Sequence, residues 1–269
     1  MSAKLNIQSK HKENRLFCTR FIRFLIALAA MTVSTTSAWG ETKSITYLDY
    51  VGGTITKAAY PVDAEKLTTE SDYILGCYFV EGPVTIDREL KIWGNTEIIL
   101  CDDAELKIIT SGNGINLSSS SSLIIYAQSS GNHAGKLTIE SGSYGIMGGH
   151  NEDVTINGGI IFVKSTSRDG ISCNNFTVNS GKVDIVPSSD YTGLWAEGGV
   201  TINGGTVSAT GGNYGIYNGG LGVTINGGKV IATGTLKGIA SGDINLGWTN
   251  ASDYIEANSY SGTVNNVAG

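Results

Sequence analysis

Hydrophobic and polar residues alternate in short runs through the second half of the chain, and these runs recur at a nearly constant distance. The hexapeptide Val-Thr-Ile-Asn-Gly-Gly begins at Val154, Val200 and Val223, and the variant Phe-Thr-Val-Asn-Ser-Gly begins at Phe176. Successive starts are 22, 24 and 23 residues apart. Alternation with a period of two is typical of β-strands, and a repeat of this length is typical of a solenoid.

A second motif keeps the same period. A glycine followed by a branched residue is repeated with spacings of 25, 23, 22 and 23 residues, at Gly145, Gly170, Gly193, Gly215 and Gly238. Between the two motifs lies a third alternating run, such as Ile161 and Val163. The pattern predicts an all-β, single-stranded parallel β-helix with three strands in each coil of about 23 residues, stacked about 4.8 Å apart. The crossover rule for parallel strands favours a right-handed helix.

The repeat also predicts which residues stack on one another. A coil cannot bury its inner face alone, so each coil repeats the inward residues of its neighbour. We expect one interior column of Ile156, Val178, Ile202 and Ile225. Asparagine tolerates corner conformations, and its amide can bond to the same amide one coil away. We therefore expect a structural column at one corner, formed by Asn157, Asn179, Asn203 and Asn226.

The remaining segments give the domain organisation. Residues 1–40 are predicted to be a signal peptide, because basic residues precede an apolar run at Phe24–Val33 and small residues end at Gly40. Cleavage falls after Gly40 or two residues earlier. Residues 41–82 are predicted to form an N-terminal cap with a hairpin around Gly52 and Gly53, 83–246 the β-helix, and 247–269 a C-terminal hairpin or cap. No later apolar run is long enough to span a membrane, so we expect a protein that is secreted, periplasmic or at the cell surface.

Charge and cysteine content restrict the partners. Removing residues 1–40 takes away six basic residues and one acidic residue, so the net charge of −6 becomes −11. This charge argues against nucleic acid and leaves divalent cations as candidates. We expect a monomer. Cys77, Cys101 and Cys173 remain, and two interpretations stay open: a Cys77–Cys101 disulfide, or buried free thiols, which we favour.

The sequence contains no evident catalytic constellation, and the enzyme question stays open, with a non-enzyme favoured. Asp169 and Asp190 precede the glycine-branched motif in successive coils, so they are a candidate calcium site. Aspartates that bond to their own turns are the alternative.

Aromatic residues give the most informative functional signal. The position after the glycine-branched motif should point outward, which would place Trp195 and Tyr217 one coil apart on the same outer face, with Tyr191 and Tyr214 at the adjoining corner. An outward aromatic strip suits the apolar faces of sugar rings. Packing between coils is the alternative interpretation.

The string "RDGISCNNFTVNSGKVDIVPSSDYTGLWAEGGVTINGGTVSATGGNYGIY" resembles the repeats of a bacterial carbohydrate-binding β-helix family first described in cellulose-degrading clostridia. The stretch "EIILCDDAELKI…GINLSSSSSLIIYAQ" resembles the N-terminal coils of secreted gut-bacterial β-solenoid proteins. The resemblance covers about residues 80–260. It implies a right-handed β-helix that binds plant-type polysaccharide, contains calcium and has no established catalysis. The family's acidic position falls on Asp169, whereas the matching Thr192, Tyr214 and Lys237 are not acidic.

Three functional hypotheses follow. The leading one is a non-catalytic polysaccharide-binding β-helix that holds its glycan on the outward aromatic strip, with calcium as the candidate cofactor. The second is a structural or adhesive stalk that carries another module. The third is a polysaccharide lyase, which a single arginine in the regular coils, Arg168, supports poorly.

Overall fold

The computed structural model describes residues 41–49, 53–62, 73–188, 190–248 and 250–266, so the predicted signal peptide lies outside the described residues. One short 3₁₀ helix (Gly131–His133) interrupts an otherwise all-β chain in these ranges. Its strands, in chain order, are β1 (Lys43–Leu48), β2 (Thr54–Pro61), β3 (Tyr73–Val80), β4 (Pro83–Ile86), β5 (Leu90–Leu100), β6 (Glu105–Thr110), β7 (Ile115–Leu117), β8 (Ser122–Ala127), β9 (Lys136–Ser141), β10 (Ile146–Met147), β11 (Asp153–Ile156), β12 (Ile160–Ser165), β13 (Ile171–Cys173), β14 (Phe176–Val178), β15 (Lys182–Pro187), β16 (Leu194–Ala196), β17 (Gly199–Ile202), β18 (Thr206–Gly211), β19 (Tyr214–Asn218), β20 (Gly222–Ile225), β21 (Lys229–Gly234), β22 (Lys237–Leu246), β23 (Tyr254–Ala257) and β24 (Tyr260–Asn266).

The strands wind into a parallel β-solenoid with three faces, which confirms the predicted fold class. Face 1 contains β7, β10, β13, β16 and β19, and face 2 contains β8, β11, β14, β17 and β20. The long strands β5 and β22 turn from face 1 to face 2, so backbone pairing joins both faces into one sheet. Face 3 is an eight-stranded sheet from β4 to β23, with one strand per coil. The described residues therefore form about eight coils.

The register of the strands confirms the predicted interior. Ile156 pairs with Val178, Val178 with Ile202, and Ile202 with Ile225, and all four side chains are fully buried. On face 3 the equivalent positions hold Ile161, Val183, Val207 and Val230, which are also fully buried. The core is thus a set of like residues stacked along the axis, as a repeat that completes its neighbour requires.

The corner between faces 2 and 3 contains the predicted asparagine ladder. The Nδ2 of Asn179 donates to the Oδ1 of Asn157 at 2.7 Å, and the pattern continues from Asn203 to Asn179 at 2.6 Å and from Asn226 to Asn203 at 2.7 Å. Two residues further on in each coil, a glycine column has left-handed φ angles of +92°, +91°, +78° and +85°, at Gly159, Gly181, Gly205 and Gly228. Glycine adopts these angles without the strain that a Cβ would introduce.

The N-terminal hairpin pairs as predicted, although Gly52 of its turn lies outside the described residues, and it also covers an outer side of the solenoid. Strands β1 and β2 are antiparallel, and the end of β2 pairs with β3 at Tyr60 and Tyr78. The ring of Tyr47 lies 4.5 Å from that of Tyr126 on face 2, and Lys57 Nζ lies 2.6 Å from a Glu97 carboxylate oxygen on the same face. The hairpin therefore buries apolar residues on the outside of the first coils as well as pairing with the first solenoid strand.

The C-terminal segment was predicted to be a hairpin or a cap, and its strands do not form a hairpin. Strand β23 pairs in parallel with β21, and β24 pairs in parallel with β22, so this segment continues the spiral. The hairpin was predicted because residues 254–266 lack the repeat motif. They nevertheless keep its period-two alternation. Backbone pairing with the preceding coil depends on that alternation and not on the motif.

Candidate functional site

Trp195 and Tyr217 lie on adjacent strands of face 1, as the sequence predicts. Strands β16 and β19 pair in parallel, with Leu194 opposite Ile216 and Trp195 opposite Tyr217. Leu194 and Ile216 are fully buried, so the aromatic residues that follow them project outward. The next position holds the buried Ala196, which pairs with the buried Cys173 and Asn218 in one inward column.

The two rings stack face to face. Their centroids are 4.2 Å apart and their planes differ by 27°. Each ring therefore covers one face of the other, and such a pair contributes roughly 0.5–1.5 kcal/mol beyond the area that it buries. The remaining faces point along the solenoid axis, Trp195 towards Ser172 and Tyr217 towards Ala240. Sugar stacking on this strip thus has to use an outer ring face or a ring edge.

A concavity of about 570 Å³ lies beside Tyr217, where the aromatic column stops at Ala240. Ala240 is only 6% exposed, although its register position points outward, because larger residues surround it. Tyr214 stands next to Tyr217, with ring centroids 5.2 Å apart and planes tilted by 46°. The lining also includes Lys237, Ser261 and Leu236. The volume falls within the usual range for a small-molecule pocket.

Tyr191 lies outside this cluster. The carbonyl oxygen of Tyr191 accepts hydrogen bonds from the N–H groups of Gly212 and Asn213 in the next coil. Tyr191 is therefore level with Asn213, the residue before Tyr214. Within the described part of the chain, the ring contacts join Trp195, Tyr217 and Tyr214 and do not include Tyr191. The structure therefore brings together three of the four predicted sugar-binding residues.

The two aspartates of the predicted calcium site have different environments. Asp169 is half-buried, and its Oδ1 accepts the backbone N–H of Thr192 from the next coil at 2.8 Å. Burial raises the pKa of Asp169, while the hydrogen bond from Thr192 opposes this effect. Asp190 is exposed. Calcium prefers six to eight oxygen ligands, and among the described residues no group of three or more His, Cys, Asp and Glu side chains is placed to hold a metal ion. The calcium site at Asp169 and Asp190 therefore stays a prediction from the sequence.

Replacing Asp169 with asparagine should preserve the fold and increase stability at neutral pH. A raised pKa means that the native state binds the proton more tightly than the unfolded chain, so stability falls as the pH rises through the native pKa. The Asp169→Asn variant keeps the acceptor for Thr192 without the charge, so its advantage should vanish below the ordinary pKa of 3.8. Asp169→Ala loses the acceptor and should be destabilised by about 1 kcal/mol. Thermal melts across this pH range are the measurement, and an advantage that grows as the pH falls would contradict the assignment.

The cysteines are placed as buried or half-buried free thiols. Cys77 pairs in register with Glu97, and Cys101 lies four residues further along the same coil as Glu97. Four strand residues span roughly 13 Å, which is beyond the reach of a disulfide, so the alternative Cys77–Cys101 bridge is wrong for this structure. Cys173 is fully buried in the inward column, and burial raises the pKa of its thiol.

A second aromatic cluster on the first coils was missed by the sequence-based reasoning. Tyr73, Leu75 and Trp93 are 39%, 59% and 60% exposed. The rings of Tyr73 and Trp93 meet edge to face with centroids 5.7 Å apart, and the Nζ of Lys91 lies 5.4 Å from the Tyr73 ring centroid. Trp93 precedes Gly94 and Asn95, and a tryptophan followed by these two residues is by itself a signal for a turn. The irregular spacing of these coils gave no register from which to place the three residues together.

Comparisons with protein-family models, with curated proteins and with solved structures give no significant match to this chain. The carbohydrate-binding resemblance thus stays a prediction from the repeat motifs. No helix in the described ranges combines the length and the apolar character needed to cross a membrane.

Proposed function

We propose that this protein is a non-catalytic polysaccharide-binding β-helix, secreted or displayed at the cell surface, whose glycan stacks on the outer face of Tyr217 above Ala240. The observation that carries the proposal is the concavity at the end of the Trp195–Tyr217 stack. Trp195 supports Tyr217 from behind, and Tyr214 adds a second ring at an angle. The apolar face of a pyranose matches the ring of Tyr217, and the polar groups around it can bond to sugar hydroxyls.

The chemistry of the lining favours binding over bond cleavage. The residues that line the concavity beside Ala240 are two tyrosines, Lys237, two serines, Leu236, two glycines and Asn218. Asn218 is itself fixed, because its Nδ2 donates to the Gly198 carbonyl at 2.8 Å and its Oδ1 accepts from the Gly222 amide at 2.7 Å. Glycoside hydrolysis uses a pair of carboxyl groups, and no carboxyl group of the described residues lines this concavity. The site therefore suits recognition of a sugar ring.

Two variants test the site from opposite directions. Tyr217→Ala removes the stacking ring and should weaken retention on insoluble cellulose or pectin about tenfold, which corresponds to ~1.4 kcal/mol. Ala240→Tyr adds a ring opposite Tyr217, so it should continue the stack, cover the open face and weaken binding equally. Affinity electrophoresis and pull-down on the insoluble polymer give the measurement.

The controls separate this site from general adhesiveness. Phe162→Ala removes an outward aromatic residue from face 3, where Phe162 pairs with Thr138 and Asp184, and should leave retention unchanged. Stronger binding by Ala240→Tyr would show that ring edges, and not the outer face of Tyr217, hold the glycan. Failure of the unmodified protein to bind any polysaccharide would reject the proposal.

The face-to-face stacking of Trp195 and Tyr217 also favours a second candidate, a structural stalk. In that case the rings only hold adjacent coils together, as cross-strand pairs do in other sheets. Trp195→Ala would then lower the melting temperature while the protein binds no glycan. Glycan binding by the unmodified protein that is lost in a Tyr217→Ala variant which still folds would exclude this candidate.

A further inference from the structure

The second aromatic cluster lies on the same face as the proposed site. Strand register connects Tyr73 to Lys91, Lys91 to Asn116, and Asn116 to Met147. The same outward column continues to Ser172, Trp195 and Tyr217. Trp93 is the next outward residue after Lys91 on β5. The outer surface of face 1 therefore has an aromatic cluster near each end.

The surface between the clusters is mainly polar. The Nδ2 groups of Asn113 and Asn116 both donate to the Oε1 of Glu89, at 2.8 and 3.0 Å. These bonds hold the amides in place on the first coils, and Ser172 continues the column with a hydroxyl. Five coil steps separate the strand of Trp93 from the strand of Tyr217, which corresponds to roughly 24 Å along the axis.

We propose that the Tyr73–Trp93 cluster is a second binding site for the glycan that stacks on Tyr217, so that one long chain contacts both clusters on face 1. This inference rests on the proposed function of the Tyr217 site. Each cluster combines partly exposed ring surface with a neighbouring lysine, Lys91 at the first and Lys237 at the second. A linear polymer of sugar rings presents the same apolar faces and hydroxyls repeatedly, so both clusters can bind the same molecule.

The geometry makes a specific prediction about chain length. An oligosaccharide shorter than roughly 24 Å can occupy only one of the two binding positions, Trp93 or Tyr217, at a time, whereas a longer one can reach both. The second contact is then intramolecular, and linked sites of this kind raise affinity by about 10²-fold or more without any new contact. Affinity should therefore rise steeply once the extended oligosaccharide exceeds this length.

Isothermal titration calorimetry with cello-oligosaccharides and oligogalacturonates, from disaccharide to decasaccharide, tests this prediction. Trp93→Ala should remove the steep rise for long oligosaccharides of the bound series while leaving the affinity for the shortest binding members at the Tyr217 site unchanged. Trp93→Tyr should keep part of the rise. The matched control is Tyr254→Ala, which removes a ring that faces Lys229 at 5.4 Å, as Tyr73 faces Lys91, but lies on face 3.

The outcomes distinguish this inference from the function on which it rests. If Tyr217→Ala abolishes binding but Trp93→Ala changes it at no length, the second site is wrong and the proposed function stands. If Trp93→Ala lowered the affinity equally for oligosaccharides of every length, the inference would also be overturned. Such a result would show that affinity does not depend on whether the oligosaccharide reaches both clusters. If the unmodified protein binds no member of either series or their parent polymers, the proposed function falls and the second site falls with it.

Discussion

Replacing Phe176 with alanine is expected to lower the free energy of unfolding by about 3–5 kcal/mol, because the ring is fully buried inside the coil. Phe176 pairs with Val154 on one side and Val200 on the other, so its loss leaves a cavity between two coils whose backbones are held by parallel pairing. Denaturant titration followed by circular dichroism measures the effect. Because solenoids can unfold coil by coil, the slope with denaturant has to be compared as well as the midpoint.

Two further variants make the Phe176 prediction specific. Thr177→Ala changes the outward residue of the same strand and should alter stability by no more than about 0.5 kcal/mol. The double variant Phe176→Val with Val178→Ile restores the valine–isoleucine pair of the other three repeats and should recover part of the loss, because it refills part of the cavity. If Phe176→Ala were no more harmful than Thr177→Ala, the inward assignment of this strand would be wrong.

Replacing Gly205 with alanine should be the most damaging of the glycine substitutions compared here, by about 3 kcal/mol or more, because two effects combine. Gly205 has a φ of +78°, and a Cβ there would lie 2.5 Å from the Gly181 carbonyl oxygen in the preceding coil. The obstructing atom belongs to the backbone, which cannot move aside without disturbing the pairing of adjacent coils. Thermal and chemical denaturation of the purified variant measure the loss.

Two other glycines separate the effect of the left-handed φ from the effect of the steric contact. Gly82 has a φ of +74° but no atom within 4 Å of the position that a Cβ would take, so Gly82→Ala should show only the conformational effect of about 1 kcal/mol. Gly242 has neither the left-handed φ nor a close neighbour, so Gly242→Ala should be close to neutral. Equal losses for Gly205 and Gly82 would show that coil spacing adjusts to the added carbon.

The candidate site shows which aspects of a surface follow from a repeat. The adjacency of Trp195 and Tyr217 could be predicted because both follow the same motif, one period apart. The sequence could not predict which ring faces are covered or that the face of Tyr217 above Ala240 stays open. Ring orientation depends on rotamers and on neighbours such as Tyr214 and Leu236. The level of Asp169 with Thr192 also follows from the repeat, and the hydrogen bond from the Thr192 N–H to the Asp169 carboxylate agrees with it.

The N-terminal coils show where sequence reasoning ended. Tyr73, Leu75 and Trp93 come from strands without the hexapeptide motif, so no period related them. Their proximity follows from the pairing of β3 with β5, which shifts register between Ile74 and Gly76. A shift of this kind moves side chains between neighbouring levels, and local sequence does not specify it.

The sequence by itself determined the three-faced coil, the residues of its interior columns and the asparagine ladder. Each of these contacts joins a residue to its counterpart about 23 positions away, so the periodicity of the chain contains both partners. The tertiary structure alone decided where the hairpin lies on face 2, how the C-terminal strands extend the solenoid and which aromatic faces stay open. Those contacts join residues that are not counterparts in the repeat, and packing in three dimensions selects them.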